Sequence, residues 1–222
     1  MSQVNFISYS TSFGNDGERL YAELLIPRKN PPFPLAILCH GAASSHLSVK
    51  ASAEQLVLSG MAAFIFDFRG HGLSSGICEG KMAGDIKVAL QHLSNYPDID
   101  VSRVSLVGHS MGAMAVLQAA AEINQLSALV LLSCPSGEFE LPSNVNMEEK
   151  QRCFTADYPR MGTVPWVTSP WSFLYRPWMK LHRQHMKIDW REFLAVYHSG
   201  SSLESLLKVR ACPILFVHCR GD

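Results

Sequence analysis

A serine lies between two glycines in residues 108–112, which read Gly-His-Ser-Met-Gly. The apolar run before it, residues 104–107, predicts a strand, and the apolar run after it predicts a helix. A strand-to-helix turn sharp enough to expose a serine hydroxyl brings backbone segments close together, so the flanking positions must lack bulk. The glycines meet that need. The pattern therefore makes Ser110 a candidate nucleophile for acyl transfer, although a pentapeptide this short also occurs by chance.

The elements that must position this serine are visible in the hydrophobic pattern. Short runs that are apolar on both faces are typical of a parallel sheet covered by helices on either side. They occupy residues 35–39, 61–66, 104–107, 128–132 and 214–217. Two helical faces lie between these runs: Val49, Ala53 and Leu56 before Gly60, and Met82, Ile86, Ala89 and Leu93 before Pro97. Residues 5–9 and 19–26 flank Gly14-Asn15-Asp16-Gly17 and predict an antiparallel hairpin at the edge of the sheet.

The length of 222 residues with 47% hydrophobic content allows one large core. We predict a single domain over residues 1–222, with its core in residues 1–135 and 201–222. Residues from about 136 to 200 contain all four tryptophans and a cluster of prolines, and they predict an inserted lid over the carboxyl edge of the sheet. The rings would wall an apolar substrate pocket, or they would only pack the lid onto the body.

Charge and targeting signals narrow the class of partner. The formal net charge is zero and the pI is about 7.1, so the chain lacks the basic surface that nucleic acid or an anionic membrane would need. No signal peptide or membrane-spanning run is visible, which predicts a cytoplasmic protein. The six cysteines lack C-x-x-C spacing and suit reduced, buried thiols. His182 and His185 would share a helical turn, but without a third ligand nearby they predict no metal site.

Three motifs follow successive predicted strands: residues 40–45 (His-Gly-Ala-Ala-Ser-Ser), residues 67–74 (Asp-Phe-Arg-Gly-His-Gly-Leu-Ser) and residues 108–112. In this order they resemble the α/β-hydrolase fold, and within it the serine hydrolases of the monoglyceride lipase-like, serine aminopeptidase-like and acyl-esterase-like branch. The resemblance covers roughly residues 4–138 and 203–222 and leaves the lid unmatched. It implies an α/β fold with a mostly parallel sheet, helices on both faces and an inserted lid.

The resemblance also implies roles for individual residues. Ser110 would be the nucleophile, and the backbone N–H groups of Ala42 and Met111 would form the oxyanion hole. Asp222 would be the acid of the triad, with Glu138 or Glu140 as weaker alternatives. Three histidines inside the motifs would serve local hydrogen bonding: His40, His71 and His109. The chemistry requires no metal or organic cofactor.

The chain departs from the family pattern at its end. The general base should follow Asp222, yet no histidine lies beyond it, and His198 or His218 would serve only after a rearrangement. We therefore expect a C-terminally truncated chain whose final strand and helix are missing, with impaired activity. We also expect possible self-association through the exposed sheet edge at residues 214–217.

Two functional hypotheses follow. The first is a serine hydrolase that cleaves a carboxylic ester, amide or thioester of a small, largely apolar substrate through an acyl-enzyme on Ser110. The second is a truncated, non-catalytic homologue that acts as a binding or assembly module. The acyl group, the leaving group and the choice between hydrolysis and acyl transfer to another acceptor stay open.

Overall fold

The computed structural model of the chain describes residues 5–42, 44–135, 185–186, 188–189, 208–209 and 212–218. In chain order its elements are β1 (Phe6–Asn15), β2 (Glu18–Pro27), β3 (Phe33–Cys39), α1 (Leu47–Leu58), β4 (Ala62–Phe66), β5 (His71–Gly72), α2 (Met82–Leu93), β6 (Ile99–His109), α3 (Met111–Glu122), β7 (Ala128–Leu132), β8 (His185–Met186) and β9 (Ile214–Val217). None of the helices in these ranges is long and apolar enough to cross a membrane.

Seven of the strands form one sheet in the order β1-β2-β4-β3-β6-β7-β9. The β1–β2 hairpin pairs antiparallel at one edge, and the strands from β4 to β9 in that order pair in parallel. The chain moves from β3 to β4 on one side and then crosses to β6 on the other side of β3. The carboxyl ends of β3 and β6 therefore flank a topological switch point, where open α/β sheets bind ligands.

Helices cover both faces of the sheet, as predicted, and alternate residues of β3 show the division. Leu35, Ile37 and Cys39 pack into a cluster with α2 and α3, whereas Ala36 and Leu38 pack into a second cluster with α1. Strands that are apolar at every position are required for this arrangement because successive side chains point to opposite faces. The mostly parallel, helix-covered sheet predicted from the sequence is confirmed.

The predicted hairpin is confirmed at the sheet edge, but its predicted turn is wrong. Gly14 and Asn15 belong to β1, where they pair with Arg19 and Glu18. The turn consists of Asp16 and Gly17 alone, with φ angles of 52° and 80°. Asp and Gly tolerate such positive φ angles, which the two-residue hairpin turn needs at both central positions.

Most of the predicted lid, including all four tryptophans, lies outside the described residues. Within it, β8 pairs antiparallel with β5, and Ile188 is fully buried beside Cys78, to which it is joined by a parallel bridge. His185 lies in a strand, so the helical turn predicted for it is wrong; His182 lies outside the described residues. Local spacing alone does not separate helix from strand in so short a segment.

β9 is confirmed as a strand, and it lies at the edge of the described sheet with most of its side chains exposed, as expected from the sequence. Leu215, Phe216 and Val217 are 55%, 51% and 46% exposed within the described structure. A run that is apolar on both faces identifies the strand without specifying what covers it.

Candidate active site

A tight elbow joins β6 to α3 at Ser110. A Cβ atom at Gly108 would lie 2.3 Å from the Gly112 carbonyl oxygen, and one at Gly112 would lie 2.5 Å from the Cys39 carbonyl oxygen. Atoms cannot approach this closely without displacing backbone. The need for glycine at both positions, predicted from the sequence, is confirmed.

The backbone of Ser110 is held in an unusual conformation, with φ 52° and ψ −117°. Its N–H donates to the Leu132 carbonyl at 2.9 Å, and its own carbonyl accepts from the N–H groups of Ala113 and Met114 at 2.9 and 3.2 Å. A non-glycine residue in such a region costs on the order of 1–3 kcal/mol and persists only where its surroundings fix it. These three hydrogen bonds hold the serine at the elbow.

A cavity of about 310 Å³ opens beside this serine at the switch point of the sheet. Its walls come from the ends of β3, β6 and β7 and from the first half of α1. The lining residues are Gly41, Ala42, Ser44, Ser48, Val49, Ser52, His109, Ser110 and Leu132. The sequence reasoning missed the α1 wall, although Ser48 and Ser52 stand four residues apart immediately after the motif at residues 40–45.

The structure brings Ala42 and Ser110 into this one cavity. Met111 begins α3 directly after the serine, so its N–H is among those at a helix start that lack a carbonyl partner within the helix. Met111 is fully buried and is not among the residues that line the cavity. The oxyanion-hole role that the resemblance implies for the Ala42 and Met111 N–H groups stays a prediction.

His40 has the local hydrogen-bonding role that the sequence predicted. Its Nδ1–H donates to the Gly41 carbonyl at 2.7 Å, and its Nε2 accepts the Phe68 N–H at 3.1 Å. Burial lowers the pKa of His40, although the charge of Asp67 opposes this shift. The neutral ring that results suits this donor and acceptor pair.

The other two motif histidines differ from each other. His71 is fully buried, and its Nδ1 lies 3.2 Å from the Arg69 carbonyl. His109 is exposed and lines the cavity beside the nucleophile. Its ring nitrogen Nδ1 would lie 3.0 Å from a Cβ atom placed at Gly41, so Gly41 also has little room for a side chain.

Asp67 and His46 form a buried pair that the sequence reasoning missed. The His46 N–H and ring Nδ1–H donate to Asp67 Oδ1 at 2.6 and 2.9 Å, and the Leu73 N–H donates to Oδ2 at 2.8 Å. Burial raises the pKa of Asp67, but the hydrogen bonds from His46 and the nearby rings of His40 and His46 outweigh burial and hold the pKa below the usual range. The motif at residues 67–74 was the available signal, since it contains an acid directly after a strand.

The thiols near this site are poor nucleophiles. The four cysteines that the structure describes are free: Cys39, Cys78, Cys134 and Cys212. Burial raises the pKa of Cys39, and it raises the pKa of Cys78 to about 12 and that of Cys134 to about 11. These groups stay protonated at neutral pH. Within the described ranges, no three His, Cys, Asp or Glu residues are grouped to hold a metal ion.

The predicted acid and its alternatives, Asp222, Glu138 and Glu140, lie outside the described residues, as does His198. His218 is described at the end of β9, where its Nε2 lies 2.9 Å from the Cys134 carbonyl oxygen. The structure thus brings Ser110 and Ala42 to one cavity, with Met111 next in the chain, and the acid stays a prediction.

Comparison with solved structures defines the class of the fold. An α/β hydrolase from Penicillium sp. superimposes with a TM-score of 0.72 at 16% sequence identity, over 97% of this chain and 81% of that protein. The sheet order and the serine elbow thus define an α/β-hydrolase fold.

Sequence comparison gives the family. The model for the serine aminopeptidase S33 family matches residues 30–222, so the chain belongs to that family. The quorum-quenching protein AidA of Acinetobacter baumannii is 30% identical over 55% of this chain and 42% of its own length. Monoglyceride lipase from Rattus norvegicus is 32% identical over 53% of this chain and 40% of its own length. The chain thus spans less than half the length of these relatives.

Proposed function

We propose that this chain carries the nucleophile and oxyanion hole of a serine hydrolase that cleaves carboxylic esters, with amides or thioesters as further substrates. The observation that carries the proposal is Ser110 itself, a non-glycine residue held at a positive φ between two glycines and facing a cavity. Such geometry is typical of functional positions because it stores backbone strain. Membership of the serine aminopeptidase family and similarity to monoglyceride lipase support it.

The mechanism is acyl transfer. Ser110 Oγ attacks the ester carbonyl carbon, its proton passes to a base, and the negative charge that develops on the carbonyl oxygen is stabilised by the N–H groups of Ala42 and Met111. The bond to the leaving alcohol then breaks and gives an acyl-enzyme on Ser110. Water, activated by the same base, releases the acid and restores the serine. No metal or organic cofactor enters these steps.

The cavity supports a small substrate. A volume of about 310 Å³ is at the lower end of ligand pockets, which commonly measure about 300–1,000 Å³. Val49 and Leu132 give the cavity an apolar part, whereas the serines on the α1 side can hydrogen-bond to a polar substituent. This fits a small, uncharged ester.

The mechanism also needs an acid and a base. Asp222 is the acid that the resemblance implies, and the rings of His40 and His218 each have a nitrogen against a backbone carbonyl. We therefore propose that neither His40 nor His218 is the base that assists Ser110. A cytoplasmic location and a single domain with its lid at about residues 136–200 stay predictions from the sequence.

The test compares the 222-residue chain with a chimaera that adds the downstream strand, histidine and helix of a close relative. Each is assayed with nitrophenyl acetate and butyrate and labelled with a fluorophosphonate. We expect turnover below about 1 s⁻¹ for the chain and within the ordinary enzyme range for the chimaera. Ser110→Ala should lower kcat of the chimaera by about 10⁴ to 10⁶-fold, as loss of a triad nucleophile does.

Ser105→Ala, five residues earlier on β6, is the matched control and should keep full activity. Mass spectrometry should map the adduct to Ser110. An adduct on another serine, or full activity of the Ser110→Ala chimaera, would reject the assignment. An inactive, unlabelled chimaera that folds and still binds esters would favour the binding module instead.

A further inference from the structure

The loop that carries Ala42 is fixed at both ends by the segment that follows β4. At its start, the Phe68 N–H donates to the His40 ring, whose other nitrogen holds the Gly41 carbonyl. At its end, the N–H and ring of His46 donate to Asp67. Two consecutive residues of one strand end thus hold both ends of the loop that carries the Ala42 donor.

Asp67 is not among the residues that line the cavity, yet its carboxylate is completely buried. Its Oδ1 is used for the loop at residues 41–46, and its Oδ2 accepts the Leu73 N–H from the loop that contains β5. A buried carboxylate that accepts hydrogen bonds on both oxygens is held in one orientation. It is therefore a rigid connection between the two loops.

The fit around this carboxylate leaves no spare volume. A Cβ atom at Gly72 would lie 2.1 Å from Asp67 Oδ2, and the φ angle of Gly72 is 53°. A methyl group there would push the carboxylate away from both loops without removing its charge. Substitution of Asp67 and substitution of Gly72 are therefore two independent ways to disturb the hydrogen bonds that hold the loop.

We propose that Asp67 is a positioning residue for the oxyanion hole: it fixes the loop at residues 41–46 so that the Ala42 N–H is aimed at the oxygen that becomes negative. This inference rests on the proposed function of Ser110. Oxyanion donors act on the transition state more than on the bound substrate, so a displaced Ala42 N–H lowers kcat and leaves KM almost unchanged. Displacing the Ala42 N–H should therefore lower kcat by at most about 10²–10³-fold, which is the loss seen when one oxyanion donor is removed.

The first experiment measures the loop directly by amide hydrogen exchange in the full 222-residue chain. The variants are Asp67→Asn, which keeps the shape but places an NH₂ donor against one of the N–H donors, and Gly72→Ala. Asp85→Asn is the control, because Asp85 is equally buried but pairs with Arg69, at 2.6 Å from its Nη2. Rates over residues 40–47 are normalised to those of β3.

We expect exchange over residues 40–47 to be about tenfold faster in both test variants and unchanged in Asp85→Asn, since loss of a charge-assisted hydrogen bond worth about 1.5–3 kcal/mol corresponds to tenfold or more in local opening. An unchanged rate in Asp67→Asn would overturn the proposal. So would an equal increase in Asp85→Asn, because the effect would then be general destabilisation.

The second experiment asks whether the loop acts on the oxyanion, using the catalytically complete chimaera and a matched ester and thionoester. Sulfur accepts hydrogen bonds more weakly than oxygen, so a well-aimed donor favours the oxoester. Asp67→Asn should lower kcat for the oxoester by about 10²-fold, with KM within about twofold, and lower the oxoester preference by about tenfold. Gly72→Ala should behave alike.

Equal losses on both substrates would show that Asp67 supports folding only and would overturn the positioning role. If the unmutated chimaera cleaves neither substrate, the proposed function fails, and the exchange experiment still decides whether Asp67 fixes the loop.

Discussion

β4 and β9 have similar sequence patterns but differ in what surrounds them. β4 and β9 are both short runs of apolar residues on both faces. All five residues of β4 are buried between β2 and β3, whereas most of the side chains of β9 are exposed. The comparison teaches that the apolar pattern specifies a strand, while its place in the sheet decides how much stability that strand contributes.

The same substitution made on each strand tests this difference between β4 and β9 most directly. Phe64 on β4 is completely buried and Phe216 on β9 is 51% exposed. Phe64→Ala should lower the free energy of unfolding by about 3–5 kcal/mol, because it removes a buried ring and leaves a cavity. Phe216→Ala should lower it by less than about 1 kcal/mol, since much of the ring is already in water. Urea unfolding measures both, and equal losses would show that β9 is as well packed as β4.

A smaller expected effect is the pH dependence of stability that Asp67, directly after β4, contributes. The folded pKa of Asp67 lies below its ordinary value of 3.8, so this carboxylate contributes stability that is complete above about pH 3.8 and is lost as the pH falls through the folded pKa. Asp67→Asn should therefore be less stable at neutral pH and lose less stability on acidification. Melting temperatures from pH 6 to pH 2 measure the difference.

Asp100 is the matched control for this titration. Hydrogen bonds from Ser102 and Arg103 lower its pKa, but Asp100 is only half-buried, whereas Asp67 is completely buried. High salt screens exposed charges far more than buried ones. Repeating the titration in 1 M salt should weaken the part of the Asp100 contribution that comes from the Arg103 charge and preserve the contribution of Asp67. A contribution of Asp67 that vanishes in salt would contradict the burial of its carboxylate.

The smallest expected effect is on self-association through the β9 edge. Exposed apolar side chains on an edge strand promote pairing with another chain, so we expect the 222-residue chain to self-associate weakly. Phe216→Lys should shift sedimentation toward the monomer, while Tyr9→Lys on the opposite edge strand should not, because its exposed neighbours Ser8 and Ser10 are polar. A concentration-independent monomer for the unmutated chain would remove this expectation.

The sequence predicted most of the sheet because its signals are local. Runs such as residues 128–132 and 214–217 became strands with these same bounds, and the glycines around Ser110 predicted the close backbone approach. The turn at Asp16 and Gly17 was harder to predict. Gly14 suggested that the turn begins at residue 14, but a glycine is tolerated inside a strand and Gly14 belongs to β1. The roles of Asp67 and Gly72 were not predictable, because they depend on two loops meeting through a carboxylate that no spacing rule describes.

The two walls of the cavity differ in how much substitution they tolerate. Gly41, Gly108 and Gly112 have almost no room for even one added methyl group, so the side of the cavity that carries Ser110 is closed to redesign. The opposite wall is formed by α1, where Ser48 and Val49 lie on the first turn and Ser52 lies on the next. Libraries at those three positions should alter which esters fit without disturbing the elbow, which makes α1 the natural place to evolve new selectivity in this scaffold.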